Sequence, residues 1–463
     1  MKNRVIGILC AAALLFTLAA CGDAEKPEGS GGEGTTTSDT APATRPSRSD
    51  PASATEDIQT DPTSPSAEEP PTNPPDNQTD SPTTPTNPPA QPADIDELTA
   101  ALDKTIDDYR ITDAMLTRSV RAEGNMARIA KALKKAKDGG EVTIGFIGGS
   151  VTEGAGATGT EKSYAGRVAQ WWRGAFPNAT IRTVNAGVGS SGSLIGVHRV
   201  QEDLLTHQPD FVVVDFAVND RAEEDPLETE TYESHIRRLL NSPSAPGVLL
   251  LFMVTSDGSS AQEAQARIGN HYDLPMISYH DAIWPEVENG KYTWSYLSGD
   301  TVHPTDDGHA IVASLLENYL LQVYKKLDSI GAVSTALPAP LTASRFEHAT
   351  ILDSADLTPA SRGSFSVMPT AYRSWKGWSV STNGAPIVFE LSDVKNVFIL
   401  IQMREGGNAA VASTGGESVL LTSRAQYTYS QASEALYTAE MGGDVTLTVS
   451  PNGAFTILGI MVS

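Results

Sequence analysis

Cysteine is almost absent from this chain of 463 residues: Cys10 and Cys21 are the only two. Residues 22–463 therefore contain no thiol, which excludes disulfide bonds, cysteine nucleophiles and cysteine-ligated zinc from that part of the chain. Basic residues are also scarce, with 33 lysines and arginines against 57 aspartates and glutamates and a formal net charge of −24. Nucleic acids and anionic membrane surfaces repel such a chain, so we expect neither as a direct partner.

Residues 1–21 have the pattern of an export signal. Two basic residues precede the apolar run Val5–Leu18, which is too short to span a bilayer comfortably. The tetrapeptide LAAC that follows, ending at Cys21, resembles a bacterial lipobox, whose cysteine becomes the lipidated first residue of the mature protein. The resemblance implies lipidation of Cys21 and an extracytoplasmic, membrane-anchored location at the cell surface. An ordinary secretory signal or a membrane helix is the alternative.

Large apolar residues are nearly missing from residues 22–95. Fourteen of the 29 prolines fall between Pro42 and Pro92, and the segment holds 14 acidic residues against three basic ones. Such a composition cannot bury enough apolar surface to offset the entropy of ordering. We predict a disordered, semi-extended tether whose outer limit is roughly 200 Å, at ~3.1 Å per residue.

Residues 96–330 alternate apolar runs with amphipathic segments. After helices within 94–138, strands are predicted at Val142–Ile147, Thr180–Asn185, Phe211–Phe216, Val248–Val254 and Met276–Ser278. The helices between and after them are predicted at Ser163–Ala175, Ser193–Thr206, Glu230–Asn241, Ser260–Tyr272 and Thr305–Leu327. This alternation predicts an α/β domain with a parallel sheet covered by helices on both faces.

Helical patterns end after the connector Val333–Leu341. Residues 340–463 contain short alternating or apolar runs separated by Gly, Asn and Asp, which predicts an all-β sandwich domain. Trp375 and Trp378 in this domain are candidates for a sugar-binding pair, although core packing is the favoured interpretation.

Three polar stretches follow predicted strands, and the carboxyl ends of parallel strands line one crevice of such a sheet. Ser150 follows the first strand, the small residues 185–193 follow the second, and Asn219 follows the third. A fourth stretch, 299–309, precedes the last helix and contains Asp300 and His303. A serine hydroxyl needs a base to act as a nucleophile, and an aspartate beside a histidine can orient the ring.

Other functions fit parts of this pattern less well. Gly187–Gly192 reads G-x-G-x-x-G, as in dinucleotide-binding folds, but it follows the second strand and no acidic residue ends the next strand at the expected distance. A P-loop is excluded because no Gly-Lys-Ser/Thr follows Gly148. The G-x-S-x-G elbow also fails, since Thr152 stands where its second glycine would be.

The four stretches together resemble the SGNH hydrolases, also called GDSL-type esterases, over roughly residues 112–325. The resemblance implies a flavodoxin-like doubly wound fold, Ser150 as nucleophile, His303 as base and Asp300 as its orienting acid. It further implies an oxyanion hole made by the backbone N–H of Ser150, the side-chain amide of Asn219 and a backbone N–H of the second stretch. The family's glycine in that stretch falls on Ser190, with Gly189 the adjacent alternative. No metal or cofactor is implied.

The family spans acetyl esterases of polysaccharides, lipases and thioesterases. A lid of apolar residues would support a lipase, and the sequence shows none. The pairing with a β-sandwich resembles deacetylating carbohydrate esterases. Aromatic residues at 292, 294 and 296, beside the Asp300 loop, suit sugar faces as well as plain packing. We therefore expect an esterase for short acyl groups, most simply O-acetyl groups on carbohydrate. The alternatives are a surface carbohydrate-binding protein with an inactive hydrolase domain, and an SGNH lipase or thioesterase.

Overall fold

A computed structural model describes residues 94–222, 224–332, 336–416 and 418–463. The predicted signal at 1–21, with Cys21, and all but the last two residues of the predicted tether at 22–95 lie outside these ranges. In the portion that is described, every helix is too short or too polar to cross a lipid bilayer.

The first domain, residues 94–332, is called the α/β domain here. Its helices are α1 (Ile95–Asp108), α2 (Asp113–Ser119), α3 (Ala127–Lys137), α4 (Ser150–Glu153), α5 (Tyr164–Ala175), α6 (Ser193–Asp203), α7 (Pro226–Asn241), α8 (Gln262–His271), α9 (Tyr279–Glu288), α10 (Trp294–Leu297) and α11 (Asp306–Lys325). Its strands are β1 (Val120–Ala122), β2 (Glu141–Gly148), β3 (Thr180–Gly187), β4 (Phe211–Asp215), β5 (Gly247–Phe252) and β6 (Met276–Ser278).

The strands of the α/β domain form one sheet in the order β1-β6-β5-β4-β2-β3. Strands β2 to β6 are parallel, so the first strand of this parallel series lies between the second and the third. This is the flavodoxin-like order, which confirms the predicted fold class. Every residue of β4 and β5 is buried, because helices cover both faces of the sheet.

Strand β1 is a departure from the prediction, which made the whole segment 94–138 helical. Val120 and Ala122 pair antiparallel with β6 at the edge of the sheet, between α2 and α3. Three residues are too few to show a strand period in the sequence. The strand forms because the edge of β6 presents backbone groups that need hydrogen-bond partners.

The second domain, residues 340–463, is called the β domain here and is built of antiparallel strands. They are β7 (Thr350–Leu352), β8 (Ser366–Val367), β9 (Trp378–Val380), β10 (Ile387–Met403), β11 (Ala409–Ser413), β12 (Ser418–Thr422), β13 (Tyr429–Ala432), β14 (Tyr437–Asn452) and β15 (Phe455–Val462). The long strand β10 pairs with β14 up to Val397 and with β15 from Val397 to Ile401. The predicted all-β class of this domain is confirmed.

The two domains share an apolar cluster. Val188, Ile195 and Val197 of the α/β domain pack in it with Phe346 and Trp375 of the β domain, among other residues. Burial of apolar surface from both domains stabilises this contact.

Trp375 and Trp378 are both core residues. Their exposed fractions are 6 % and 0 %, and the ring of Trp378 packs against Phe389. The idea of an exposed sugar-binding pair is therefore wrong, and the packing interpretation is correct.

A buried arginine ties the ends of β2 and β3 together. The guanidinium of Arg199, on α6, donates to the carbonyl oxygen of Gly148 at 2.8 Å and to that of Ala186. It also donates to Ser191 Oγ at 3.3 Å and pairs with Asp203 at 3.0 Å. A buried cation needs partners of this kind, because desolvation otherwise makes it costly.

We predict that Arg199→Met lowers the free energy of unfolding by about 3 kcal/mol, because buried acceptors lose their donor. Urea unfolding followed by tryptophan fluorescence measures the effect. Arg182→Met is the matched control, since the Arg182–Glu141 pair is 64 % and 55 % exposed and should contribute less than about 1 kcal/mol. Equal losses in the two variants would contradict the structural role given to Arg199.

Candidate active site

Ser150 stands at the end of β2, where the chain turns into the short helix α4. Gly149, just before it, has no space for a side chain, because an added Cβ would lie 2.0 Å from Asn219 Oδ1. The glycine thus lets the Asn219 side chain lie directly against the turn formed by Gly149 and Ser150, called the serine turn here. As the first residue of α4, Ser150 has a backbone N–H without an acceptor inside the helix.

The structure brings Ser150, His303 and Asp300 together in the order that a serine nucleophile requires. His303 Nε2 lies 2.8 Å from Ser150 Oγ, and His303 Nδ1 lies 2.7 Å from Asp300 Oδ2. With Nδ1–H donating to the carboxylate, Nε2 is free to accept the serine proton. All three sequence-predicted residues therefore meet, although 153 positions separate Ser150 from His303.

The loop that carries Asp300 and His303 is held by its own hydrogen bonds. Ser298 Oγ donates to the carbonyl oxygens of Asp300 and His303, at 3.0 and 2.7 Å. The indole N–H of Trp294 donates to the Asp300 carbonyl oxygen at 2.6 Å, so this ring supports the loop. Tyr292 is buried, with its hydroxyl on the backbone of Tyr109. Packing and loop support, rather than an open sugar platform, thus account for Tyr292 and Trp294.

The electrostatics of Asp300 suit an orienting carboxylate. Partial burial acts to raise its pKa, but hydrogen bonds from the backbone N–H and imidazole of His303 and from the Val302 N–H outweigh this and hold the pKa below its usual value. Oδ1 accepts both backbone N–H groups at 2.8 Å, which leaves Oδ2 for the ring. Asp300 is therefore ionised at neutral pH.

Asn219 lies in the turn after β4, as the sequence predicted, with its side chain against Gly149. Its backbone N–H donates to the Phe216 carbonyl oxygen at 3.0 Å, which fixes the turn. The neighbouring Asp220 accepts the N–H of Ser193 at 2.7 Å and so caps α6. The amide of Asn219 is thus placed beside the serine turn by the turn geometry.

The turn after β3 places Gly189 and Ser190 beside Ser150. A Cβ built on Gly189 would lie 3.8 Å from the Cβ of Ser150. The Gly189 N–H is already engaged, because it donates to Glu153 Oε2 at 2.9 Å. Ser190 has a φ of +60°, and its N–H donates to no other residue within the described ranges. Of the two predicted donors, Ser190 is therefore the one whose N–H is available.

The glycines of this turn pack on protein rather than on a phosphate. A Cβ on Gly187 would lie 2.1 Å from the backbone nitrogen of Glu153, so the glycine permits contact between β3 and α4. This contact explains the first glycine of the G-x-G-x-x-G pattern without a dinucleotide.

Thr152, where an elbow motif would have glycine, is fully buried and supports the serine turn. Its hydroxyl lies 2.7 Å from the hydroxyl of Tyr164 and 3.2 Å from Asp215 Oδ2. Burial raises the pKa of Asp215 to about 7. Sequence reasoning did not find these supports, because the only signal was one polar residue two positions after the serine.

Two further charged residues at this site were not found from the sequence. Glu153 lies on α4 three residues after Ser150, and it pairs with Arg373 of the β domain. The position of Glu153 close to Ser150 in the sequence was a usable signal, whereas nothing in the sequence connects Arg373 with the α/β domain. Within the described ranges, no cluster of three or more His, Cys, Asp or Glu side chains could hold a metal ion.

Comparisons with known proteins agree with this geometry. Residues 146–311 match the model of the GDSL-like lipase/acylhydrolase family. An acetylxylan esterase of Geobacillus stearothermophilus is 26 % identical over 196 residues, which are 36 % of this chain and 89 % of that enzyme.

A solved structure extends the likeness to both domains. A two-domain esterase active on acetylated mannans, crystallised with mannopentaose, matches with a TM-score of 0.68 and 27 % identity. The match covers 75 % of this chain and 98 % of that one. Residues 146–311 are therefore similar to the GDSL-like lipase/acylhydrolase family, and the chain is an esterase.

Proposed function

We propose that this protein is a serine esterase that removes short acyl groups, above all acetyl groups, from carbohydrate. The observation that carries the proposal is the contact of His303 Nε2 with Ser150 Oγ at 2.8 Å, together with the bond from His303 Nδ1 to Asp300 Oδ2 at 2.7 Å. This arrangement activates a hydroxyl for attack on an ester carbonyl.

The proposed reaction has two steps. In the first, His303 accepts the Ser150 proton as Oγ attacks the carbonyl carbon, and the protonated ring then gives this proton to the departing sugar hydroxyl. In the second, His303 takes a proton from water, whose oxygen attacks the acyl-enzyme, and returns it to Ser150 as acetate leaves. Asp300 keeps the ring in the required tautomer and stabilises the imidazolium.

Negative charge develops on the carbonyl oxygen in both steps. We assign its stabilisation to the backbone N–H groups of Ser150 and Ser190 and to the amide of Asn219. Donors that are fixed before the reaction stabilise this charge without having to reorganise, and each such donor contributes about 3 kcal/mol. The packing of Asn219 on Gly149 supports its assignment, because it holds the amide in place.

The carbohydrate substrate is supported by the relatives. One is an acetylxylan esterase, and another, which matches both domains, is active on acetylated mannans. The N-terminal sequence supports a location at the cell surface, where such polymers would be met. We propose that Cys21 carries the lipid and that residues 22–95 connect it to the esterase.

We expect Ser150→Ala to lower kcat for p-nitrophenyl acetate by about 10⁴-fold or more, because the nucleophile is removed. Acetate release from acetylated xylan and mannan should fall in parallel, and labelling by a fluorophosphonate probe should disappear. Ser329→Ala, at an exposed serine far along the chain, is the control and should keep wild-type rates. Wild-type turnover by the Ser150 variant would exclude the mechanism.

Asn219→Ala should lower kcat about 10²- to 10³-fold with little change in KM, because the amide acts mainly in the transition state. Steady-state kinetics on p-nitrophenyl acetate separate the two constants. Asn289→Ala, at an exposed residue, is the matched control. A loss confined to KM would show that Asn219 binds substrate and is not an oxyanion donor.

The lipid anchor is tested with the two cysteines of the chain. Full-length protein made in a bacterial host should incorporate radiolabelled fatty acid and sediment with membranes, whereas Cys21→Ala should do neither. Cys10→Ala is the matched control and should behave as wild type. Labelling that persists in the Cys21 variant would rule out this anchor site.

A further inference from the structure

A hairpin of the β domain brings an arginine to the edge of the active site. The backbones of Tyr372 and Trp375 exchange hydrogen bonds at 2.9 and 3.0 Å, with Arg373 and Ser374 in the turn between them. Arg373 has a φ of +58°, in the left-handed region that residues other than glycine rarely adopt. Packing must therefore hold this conformation against its cost.

The packing that holds the hairpin also contacts the active-site turn. Trp375 is 6 % exposed and lies in the apolar cluster shared by the domains, together with Val188. Val188 directly precedes Gly189, whose N–H bonds to Glu153. The buried tryptophan thus fixes the arginine two residues before it in relation to the turn beside Ser150.

Arg373 makes a two-pronged contact with the Glu153 carboxylate. Nη1 bonds to Oε1, and Nη2 lies 3.3 Å from Oε2. The same Oε2 accepts the Gly189 N–H at 2.9 Å. A continuous series of charge-assisted hydrogen bonds therefore runs from the β domain through Glu153 to the turn that carries Ser190.

The position of Glu153 makes this series relevant to catalysis. Glu153 belongs to α4, the one-turn helix that begins with Ser150, and its carboxylate joins that helix to the Gly189–Ser190 turn. The Glu153 carboxylate therefore connects the helix that begins with Ser150 to the turn that carries Ser190, so it links the two backbone donors of the proposed oxyanion hole. That carboxylate is 32 % exposed, so without a cation to hold it the side chain can turn toward solvent.

We propose that Arg373 is a positioning residue of the esterase site. Through Glu153 it holds the Gly189–Ser190 turn in the arrangement that the oxyanion hole needs, so the β domain contributes to kcat as well as to the shape of the protein. This inference rests on the proposed esterase function.

The choice of substrate distinguishes a positioning role of Arg373 from a role in sugar binding. p-Nitrophenyl acetate has no sugar chain that could reach the β domain. We expect Arg373→Ala to lower kcat for this ester about tenfold with little change in KM, because a charge-assisted bond that orients the site is lost. Arg373→Lys should restore only part of the rate, because lysine lacks the planar fork of donors. Arg424→Ala, at an exposed arginine of the same domain, is the control.

A double-mutant cycle tests the route through Glu153. Glu153→Gln keeps an oxygen that can accept the Gly189 N–H but removes the ion pair, so it should match Arg373→Ala, and the double variant should be no slower than either. Glu153→Ala should be slower still, because the Gly189 N–H loses its acceptor. The Arg424 variant and circular dichroism of each variant verify that the fold is kept.

Two results would overturn the inference. Wild-type kcat for p-nitrophenyl acetate in Arg373→Ala would do so, as would a loss seen only in KM for acetylated mannan oligosaccharides, which would make Arg373 a sugar contact. A wild-type protein that neither turns over these esters nor reacts with a fluorophosphonate would overturn the proposed function, and this inference with it. Turnover of p-nitrophenyl acetate by the wild-type protein, together with the expected loss of kcat in Arg373→Ala, supports both the proposed function and this inference.

Discussion

The buried guanidinium of Arg199 is the contact on which the arrangement of the active site depends. It joins the carbonyl oxygens of Gly148 and Ala186, at the ends of the two strands from which the serine turn and the Gly189–Ser190 turn begin. The parallel pairing of β2 and β3 brings these ends side by side, and the arginine adds hydrogen bonds to a carbonyl oxygen of each strand end. A cation with this many partners tolerates little movement, because any displaced carbonyl would leave charge unpaired in a dry interior.

The rest of the site is assembled on this edge from distant parts of the chain. Gly149 permits the Asn219 side chain to approach from the turn after β4, and the loop before α11 returns to place His303 on Ser150. Each piece is rigid for a local reason: a capped helix, a set of loop hydrogen bonds or a buried Thr152 hydroxyl. Preorganised groups of this kind lose little energy to rearrangement during a reaction.

The α/β fold and most of the candidate site were predictable, because their signals are local in the sequence. Strands β2, β4, β5 and β6 of the parallel sheet are largely apolar runs between amphipathic helices, so their positions and the α/β class followed from this alternation. The side chains at strand ends followed from the geometry of parallel sheets. Strand β1 was not predicted, because three residues that pair with an edge show no period of their own. The aromatic residues Trp375 and Trp378 were ambiguous, because an aromatic side chain suits a sugar face and a core equally well, and only burial separates the two.

The sequence by itself thus determined the two fold classes, the candidates Ser150, Asn219, Asp300 and His303, and their common edge. Only the tertiary structure decided which N–H of the Gly189–Ser190 turn is available, because the choice depends on where the Glu153 carboxylate lies. It alone brought Arg373 to the site, since the contact between residues 153 and 373 joins two domains. Local patterns specify elements and the positions at their ends, whereas contacts between domains arise from packing that no short stretch of sequence encodes.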